Sequence, residues 1–279
     1  MPVEKRTIKI LSIFIEPKKI IMSKKIRILS IDGGGIRGII PGVILTYIEN
    51  QLQQLDHSSL HIGDYFDFVA GTSTGGILTC AYLIPNENQT AKYGAEEAVN
   101  LYTKKGGQIF KLSLWDKVTN PWSLLSEKFG VHALEENFRE LFGEVILSEL
   151  IKPCLVPSYN ITSRCAKLFT SVDARHNQLE DFKVIDVARS TSAAPTYFQP
   201  ARIQSLSGQT LNLVDGGVYA NNPALCAYAE ARKIRFSEIL KDPEKPDLPS
   251  AKDMLIISIG TGTVKKSYHF ETLKDAGEI

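Results

Sequence analysis

The chain has 279 residues, 43% hydrophobic and 23% charged, with 32 basic residues against 31 acidic ones and a net charge of +1. Such a composition excludes an intrinsically disordered chain, and the near-zero charge gives no global field for nucleic acid or an anionic bilayer. The length suits one substantial domain, and no apolar run reaches the ~18 residues needed to cross a membrane.

Residues 1–21 open the chain. The apolar stretch Ile8–Ile15 is short, and Glu16, Pro17, Lys18 and Lys19 follow it at once, which is not a signal-peptide pattern. Met22-Ser23-Lys24-Lys25 reads as a cytoplasmic start. Residues 1–21 are therefore expected to be an extension outside the core fold, with an extra edge strand as the alternative, and residues 22–279 the folded domain. Ile26–Ile31 predicts a strand and Ile36–Leu55 a helix, joined by Asp32-Gly33-Gly34-Gly35-Ile36-Arg37-Gly38. Three consecutive glycines let backbone N–H groups converge on one point, and Arg37 adds a fixed positive charge. The loop is a candidate oxyanion hole. The same run fits G-x-G-x-x-G, but a dinucleotide site needs an acidic residue ending a second strand about 20 positions on. Glu49 and Asp56 fall instead in or just after a polar helix tail. A purely structural glycine turn is the other alternative.

Phe66–Ala70 predicts a second strand and Thr74–Leu83 a second helix, with Gly71-Thr72-Ser73-Thr74-Gly75 between them. This is G-x-S-x-G in a strand–turn–helix setting, the context of a nucleophile elbow. The helix would aim its positive end at the Ser73 oxygen. Glu96–Lys105 and Val131–Leu141 read as helices. Between them Trp115 and Trp122 stand among Lys104, Lys105, Lys111, Lys117 and Lys128. Aromatics beside lysines suit a lipid–water interface; the alternative is core packing with an exposed basic face.

Pro153–Tyr159 and Ala166–Val172 predict strands, Val184–Ser190 a helix and Leu211–Val214 a strand that delivers Asp215-Gly216-Gly217. An acidic residue at a strand's C-terminal tip points to the edge where open α/β sheets place ligands, although an Asp-Gly turn is the plain alternative. Asn221 or Asn222 and Pro223 suit the start of a helix over Ala224–Phe236. A charged loop precedes the strand Met254–Ile259. The alternation predicts an α/β fold, a mostly parallel central sheet with helices on both faces.

A serine nucleophile needs a base. His57, His61, His132, His176 and His269 all lie in polar connectors, turns or surface-helix positions, with no strand-end setting. Cys80, Cys154, Cys165 and Cys226 lack C-x-x-C spacing and read as reduced core cysteines. No metal-ligand spacing is present.

The motifs Asp-Gly-Gly-Gly-x-Arg-Gly, Gly-Thr-Ser-Thr-Gly-Gly and Asp-Gly-Gly, in this order, resemble the patatin-like phospholipase family. Ser192-Ala193-Ala194-Pro195-Thr196-Tyr197-Phe198 and Ser258-Ile259-Gly260-Thr261-Gly262 are similar to segments of that family as well. The resemblance implies a three-layer patatin-like architecture and a Ser–Asp dyad with no catalytic histidine. Ser73 would be the nucleophile and Asp215 its base. Gly33, Gly34, Gly35, Arg37, Gly38 and Thr74 would line the oxyanion and substrate-binding site. It implies a lipid acyl hydrolase of phospholipase A or lysophospholipase type, working through an acyl-enzyme with no metal or organic cofactor. Phospholipid or another acyl lipid would be the substrate. The protein would be cytoplasmic with peripheral membrane contact and no nucleic-acid partner. Family members usually continue with further helices after the Gly-Thr-Gly segment, so a C-terminally shortened domain is expected. The alternatives are an esterase with a Ser–His–Asp triad using His176 or His269, and a lipid-binding module with an impaired site.

Overall fold

The computed structural model describes residues 24–100 and 135–262. The expected extension at 1–21, Trp115, Trp122, His132 and His269 lie outside the described residues. The strands are β1 (Ile26–Ile31), β2 (Phe68–Gly71), β3 (Cys154–Asn160), β4 (Cys165–Thr170), β5 (Ala201–Gln204), β6 (Thr210–Asp215) and β7 (Met254–Ile259). They form one sheet in the order β5-β6-β3-β2-β1-β7, with β4 also paired to β3. Strands β3, β2, β1 and β7 run parallel, while β4 and β6 pair with β3 antiparallel and β5 pairs with β6 antiparallel.

Alternate residues of the central strands feed two separate cores. Leu29, Ile31 and Val69 join one apolar cluster. Ile26, Ile28, Phe68 and Ala70 join the other. A strand buried on both faces must be apolar at nearly every position, and β2 is buried throughout. The first core is closed by α1 (Ile39–Asp56), the short α2 (Ile62–Tyr65), α3 (Thr74–Leu83) and, past α4 (Ser171–His176), by α5 (Val184–Thr191). The second is closed, beyond the single turn α6 (Gly217–Ala220), by α7 (Ala224–Ala231) and α8 (Phe236–Ile239). Helices on both faces of a sheet with a parallel centre are the α/β class read from the sequence. Helix α3 is buried at all 10 positions, which explains why it carries no charged residue.

Local departures from the expected elements have local causes. The strand read over Ala166–Val172 stops at Thr170, whose hydroxyl accepts the Asp173 N–H at 3.0 Å and caps α4. His176 therefore ends a helix. The helix read over Ala224–Phe236 breaks after Ala231, because Asp247 caps a second one. Its carboxylate accepts the Ser237 N–H and hydroxyl, each at 2.9 Å. Strand β5 was not read at all: of its four residues only Ala201 and Ile203 are buried. Cys165, expected in the core, is exposed on β4, whereas Cys80 and Cys154 are buried.

At the N-terminal edge of the central strands lies a buried ion cluster. The Asp67 side chain is 3% exposed and accepts from the Arg27 backbone N–H at 2.8 Å, the Arg27 guanidinium at 3.3 Å and the Lys245 ammonium at 2.5 Å. Burial alone would push the Asp67 carboxyl up. The two cations outweigh it and hold the group below the usual carboxylate range.

The register of β3 places the site. Its first residues pair with β2, Val69 opposite Cys154 and Ala70 opposite Leu155. Its last residues pair with β6, Ser158 opposite Asp215 and Asn160 opposite Leu213. Strand β4 runs along β3 from Leu155 to Asn160. Strands β2 and β6 thus approach along β3 from opposite directions, and their C-terminal ends meet beside Pro157. Proline has no N–H to offer a ladder, and Pro157 falls in the gap that neither strand fills.

Candidate active site

Ser73 sits where β2 turns into α3, at φ 55 and ψ −121. A residue with a Cβ seldom adopts this conformation, and it is held only by strong surroundings. The turn is tight. A Cβ on Gly71 would lie 2.0 Å from the Gly75 carbonyl oxygen, and one on Gly75 would lie 2.2 Å from that of Ile31. Both positions need glycine for close backbone approach. The Gly75 N–H donates to the Thr72 carbonyl at 2.8 Å and the Ile77 N–H to that of Ser73 at 3.0 Å. The Thr72 hydroxyl reaches across to the Ala220 carbonyl at 2.7 Å. The Ser73 N–H donates to the Thr191 hydroxyl at 2.9 Å.

Asp215 ends β6 and is 5% exposed. Its carboxylate accepts the Gly217 N–H at 2.7 Å. Burial pushes its pKa above the ordinary carboxylate value, and the nearby Ser73 side chain and Gly217 N–H offset only part of that rise. The expected pair of Ser73 and Asp215 thus lines one cavity. No described histidine joins it: His57 caps the C-terminus of α1, His61 lies 3.9 Å from Glu49, and His176 ends α4.

The pair opens into a cavity of about 470 Å³ whose lining includes Gly34, Gly35, Ile36, Arg37, Ser73, Thr74 and Asp215. Residues Gly35–Gly38 form one turn of 3₁₀-helix. The N–H groups of Gly34 and Gly35 donate to no acceptor among the described residues, so two donors at the cavity wall are unengaged. Arg37 stands at the same wall and donates to the Gly262 carbonyl at 2.9 Å. Gly33 and Gly38 have other places. The Gly33 N–H is taken by the Asn221 carbonyl at 3.0 Å. Its own carbonyl accepts from Asn221 Nδ2 at 3.2 Å and from Thr261 Oγ1 at 2.9 Å. Gly38 packs on Thr74, whose Oγ1 would lie 2.0 Å from a Cβ there. These two glycines are absent from the lining and brace the loop from behind.

Ile36, Ile77, Pro195, Tyr197, Phe198 and Val218 give the cavity an apolar wall. Sequence reasoning singled out the segment Ser192–Phe198 only as a resemblance and gave it no place in the site; its Pro and adjacent aromatics were the available signal. Thr191 and Asn221 were missed because each acts through a hydrogen bond to a distant stretch of chain. A hydroxyl beside a buried carboxylate, with free N–H donors and an apolar wall near it, has the groups needed to attack an ester carbonyl with an apolar substituent.

Comparison with known proteins bears on the same residues. The chain is 38% identical over 259 residues to Patatin-like protein 2 of Oryza sativa subsp. indica, an alignment covering 88% of this chain and 62% of the relative. It is 35% identical over 256 residues to Patatin-like protein 4 of Arabidopsis thaliana, covering 90% and 63%. It is also 35% identical over 263 residues to Patatin-17 of Solanum cardiophyllum, covering 91% and 65%. The chain thus spans less than two thirds of the length of these relatives. Among solved structures, VipD from Legionella pneumophila is similar at a TM-score of 0.39 and 13% identity, over 70% of this chain and 46% of that one. The family model for patatin-like phospholipase matches residues 29–228. That span takes in the glycine loop, the Ser73 turn and Asp215 together, and by it the chain belongs to the patatin-like phospholipase family.

Proposed function

We propose that this protein is a lipid acyl hydrolase of phospholipase A or lysophospholipase type, cleaving carboxylic esters of membrane lipids with a Ser73–Asp215 dyad. The observation that carries this reading is the strained Ser73 turn and the buried Asp215 carboxylate on the wall of one cavity with an apolar side. The Ser73 oxygen attacks the ester carbonyl while its proton passes to Asp215. The tetrahedral oxyanion is met by the Gly34 and Gly35 N–H groups and by the positive end of α3. Collapse expels the alcohol, which takes the proton from Asp215, and leaves the acyl group on Ser73. Asp215 then takes a proton from water, whose oxygen attacks the acyl-enzyme, and the fatty acid departs as Ser73 regains its proton. A carboxylate whose pKa lies above its usual value is the better proton acceptor for this work. The substrate would be a phospholipid or another acyl lipid. No described helix is long and apolar enough to cross a membrane, and we place the protein in contact with lipid at the membrane surface.

The test is incubation with mixed phospholipid vesicles and mass spectrometry of the products, paired with a serine-directed fluorophosphonate. Free fatty acid with lysolipid and a single adduct on Ser73 are expected. Absence of any adduct would favour a lipid-binding role over an enzymatic one.

Two further outcomes follow from the site. Asp215 must be ionised to accept a proton, and burial raises its pKa. Activity should therefore climb with pH through a midpoint above the ordinary aspartate value of about 3.9, and a kcat/KM profile on a short-chain ester reads that midpoint directly. Activity should also be unchanged by EDTA. All the proton and charge transfers above use protein groups, and among the described residues no cluster of His, Cys, Asp or Glu is placed to hold an ion. Loss in EDTA with recovery on adding calcium would contradict the mechanism.

A further inference from the structure

The end of helix α5 touches both members of the dyad. Thr191 is fully buried and is the last residue of that helix. Its hydroxyl accepts the Ser73 N–H at 2.9 Å and donates to the Pro157 carbonyl at 2.6 Å. The directions are fixed by chemistry. An amide N–H only donates, so the hydroxyl must accept from Ser73, and its single proton is then left for Pro157. Two residues on, the Ala193 carbonyl accepts the Asp215 N–H at 3.0 Å. One short segment therefore holds the backbone of the nucleophile by one hydrogen bond and the backbone of the base by another. It does so at the place where β2 and β6 meet without pairing to each other.

We infer that Thr191 is a positioning residue, whose hydroxyl fixes the strained Ser73 backbone so that the Ser73 side chain meets the Asp215 carboxylate. This rests on the hydrolase reading above. Without the hydroxyl the Ser73 N–H is left without its partner in a part-buried gap. The turn at φ 55 then has one restraint fewer, and small misplacements of a reacting group lower the rate of the chemical step far more than they change binding. The same hydrogen bond occupies the Ser73 N–H, so the donors for the oxyanion must come from elsewhere on the cavity wall.

Thr191→Val and Thr191→Ser separate the hydroxyl from the packing. Valine keeps the branched shape but cannot accept the N–H. Serine keeps the hydroxyl but loses the methyl group that lies 2.7 Å from where a Cβ on Gly76 would be. Both are measured on folded protein, with a short-chain nitrophenyl ester and with the rate of fluorophosphonate labelling at Ser73. Thr191→Val should lower kcat about 10- to 100-fold with KM within about twofold, and slow labelling in proportion. Thr191→Ser should stay within about threefold of wild type in both. The opposite order, valine active and serine impaired, would assign the effect to packing and overturn the inference. Should the valine variant fail to fold, serine decides: wild-type labelling supports the hydroxyl role, and slow labelling at an unchanged melting temperature rejects it. Wild-type protein that does not label at all would fail the hydrolase reading. Equal labelling of wild type and Thr191→Val would leave that reading standing and remove only the role of Thr191.

Discussion

Replacing Ser73 by alanine should lower kcat on a short-chain nitrophenyl ester by about 10⁴-fold or more, with circular dichroism and melting temperature unchanged. Alanine keeps the Cβ that the turn already accommodates at φ 55, so only the attacking oxygen is lost. Asp215→Asn should be comparably inactive, since an amide cannot take the serine proton. Groups that act as one unit give losses that do not add, so the double variant should be little worse than either single one. His176→Ala should keep most activity, because His176 ends α4 and is absent from the cavity lining. Residual turnover by pure, folded Ser73→Ala protein would remove the assignment of the nucleophile. Activity retained by Asp215→Asn would remove that of the base.

Asp67→Ala should cost about 3–5 kcal/mol of stability. It leaves Lys245, with 4% of its side chain exposed, and Arg27 without their shared anion. At about 2–4 °C per kcal/mol for a protein of this size, the melting temperature should fall by roughly 6–20 °C. The pH dependence has a definite sign. The folded-state pKa of Asp67 lies below the ordinary carboxylate value, so its contribution is complete above the unfolded value of about 3.9. That contribution is lost as the pH falls through the lower folded value. Thermal melts between neutral pH and pH 3 should therefore show a steeper acid loss for wild type than for Asp67→Asn. Parallel slopes would mean that the cluster contributes little.

The parts of the site that were legible in the sequence are those whose requirement is local. Gly71 and Gly75 flank Ser73 because the turn itself demands close approach, and that demand is written within five residues. Asp215 was legible because a strand, an acidic residue and two glycines are contiguous. Strands β1 and β2 were legible because burial on both faces keeps them largely apolar. What the sequence hid is relational. Gly33 lies in the same motif as Gly34, yet Asn221 and Thr261 hold its peptide away from the cavity wall. Thr191 looks like an ordinary helix-end threonine until Ser73 arrives from another strand. The four residues of β5, with an exposed Arg202 and Gln204 between Ala201 and Ile203, carry too weak an alternation to be told from a loop.

The meeting of β2 and β6 makes β3 a ruler. The two strands bring Ser73 and Asp215 together without pairing to each other, so the spacing between these two residues is a count of residues along β3, from Leu155 opposite Ala70 to Ser158 opposite Asp215. One residue inserted in that interval would lengthen the count by about 3.3 Å and turn the following side chains to the other face of the sheet. The same insertion in the connection between β3 and β4, at residues 161–164, would leave the count intact. Homologous chains built on this plan are therefore free to vary in the length of that turn but not in the length of the interval that Pro157 occupies.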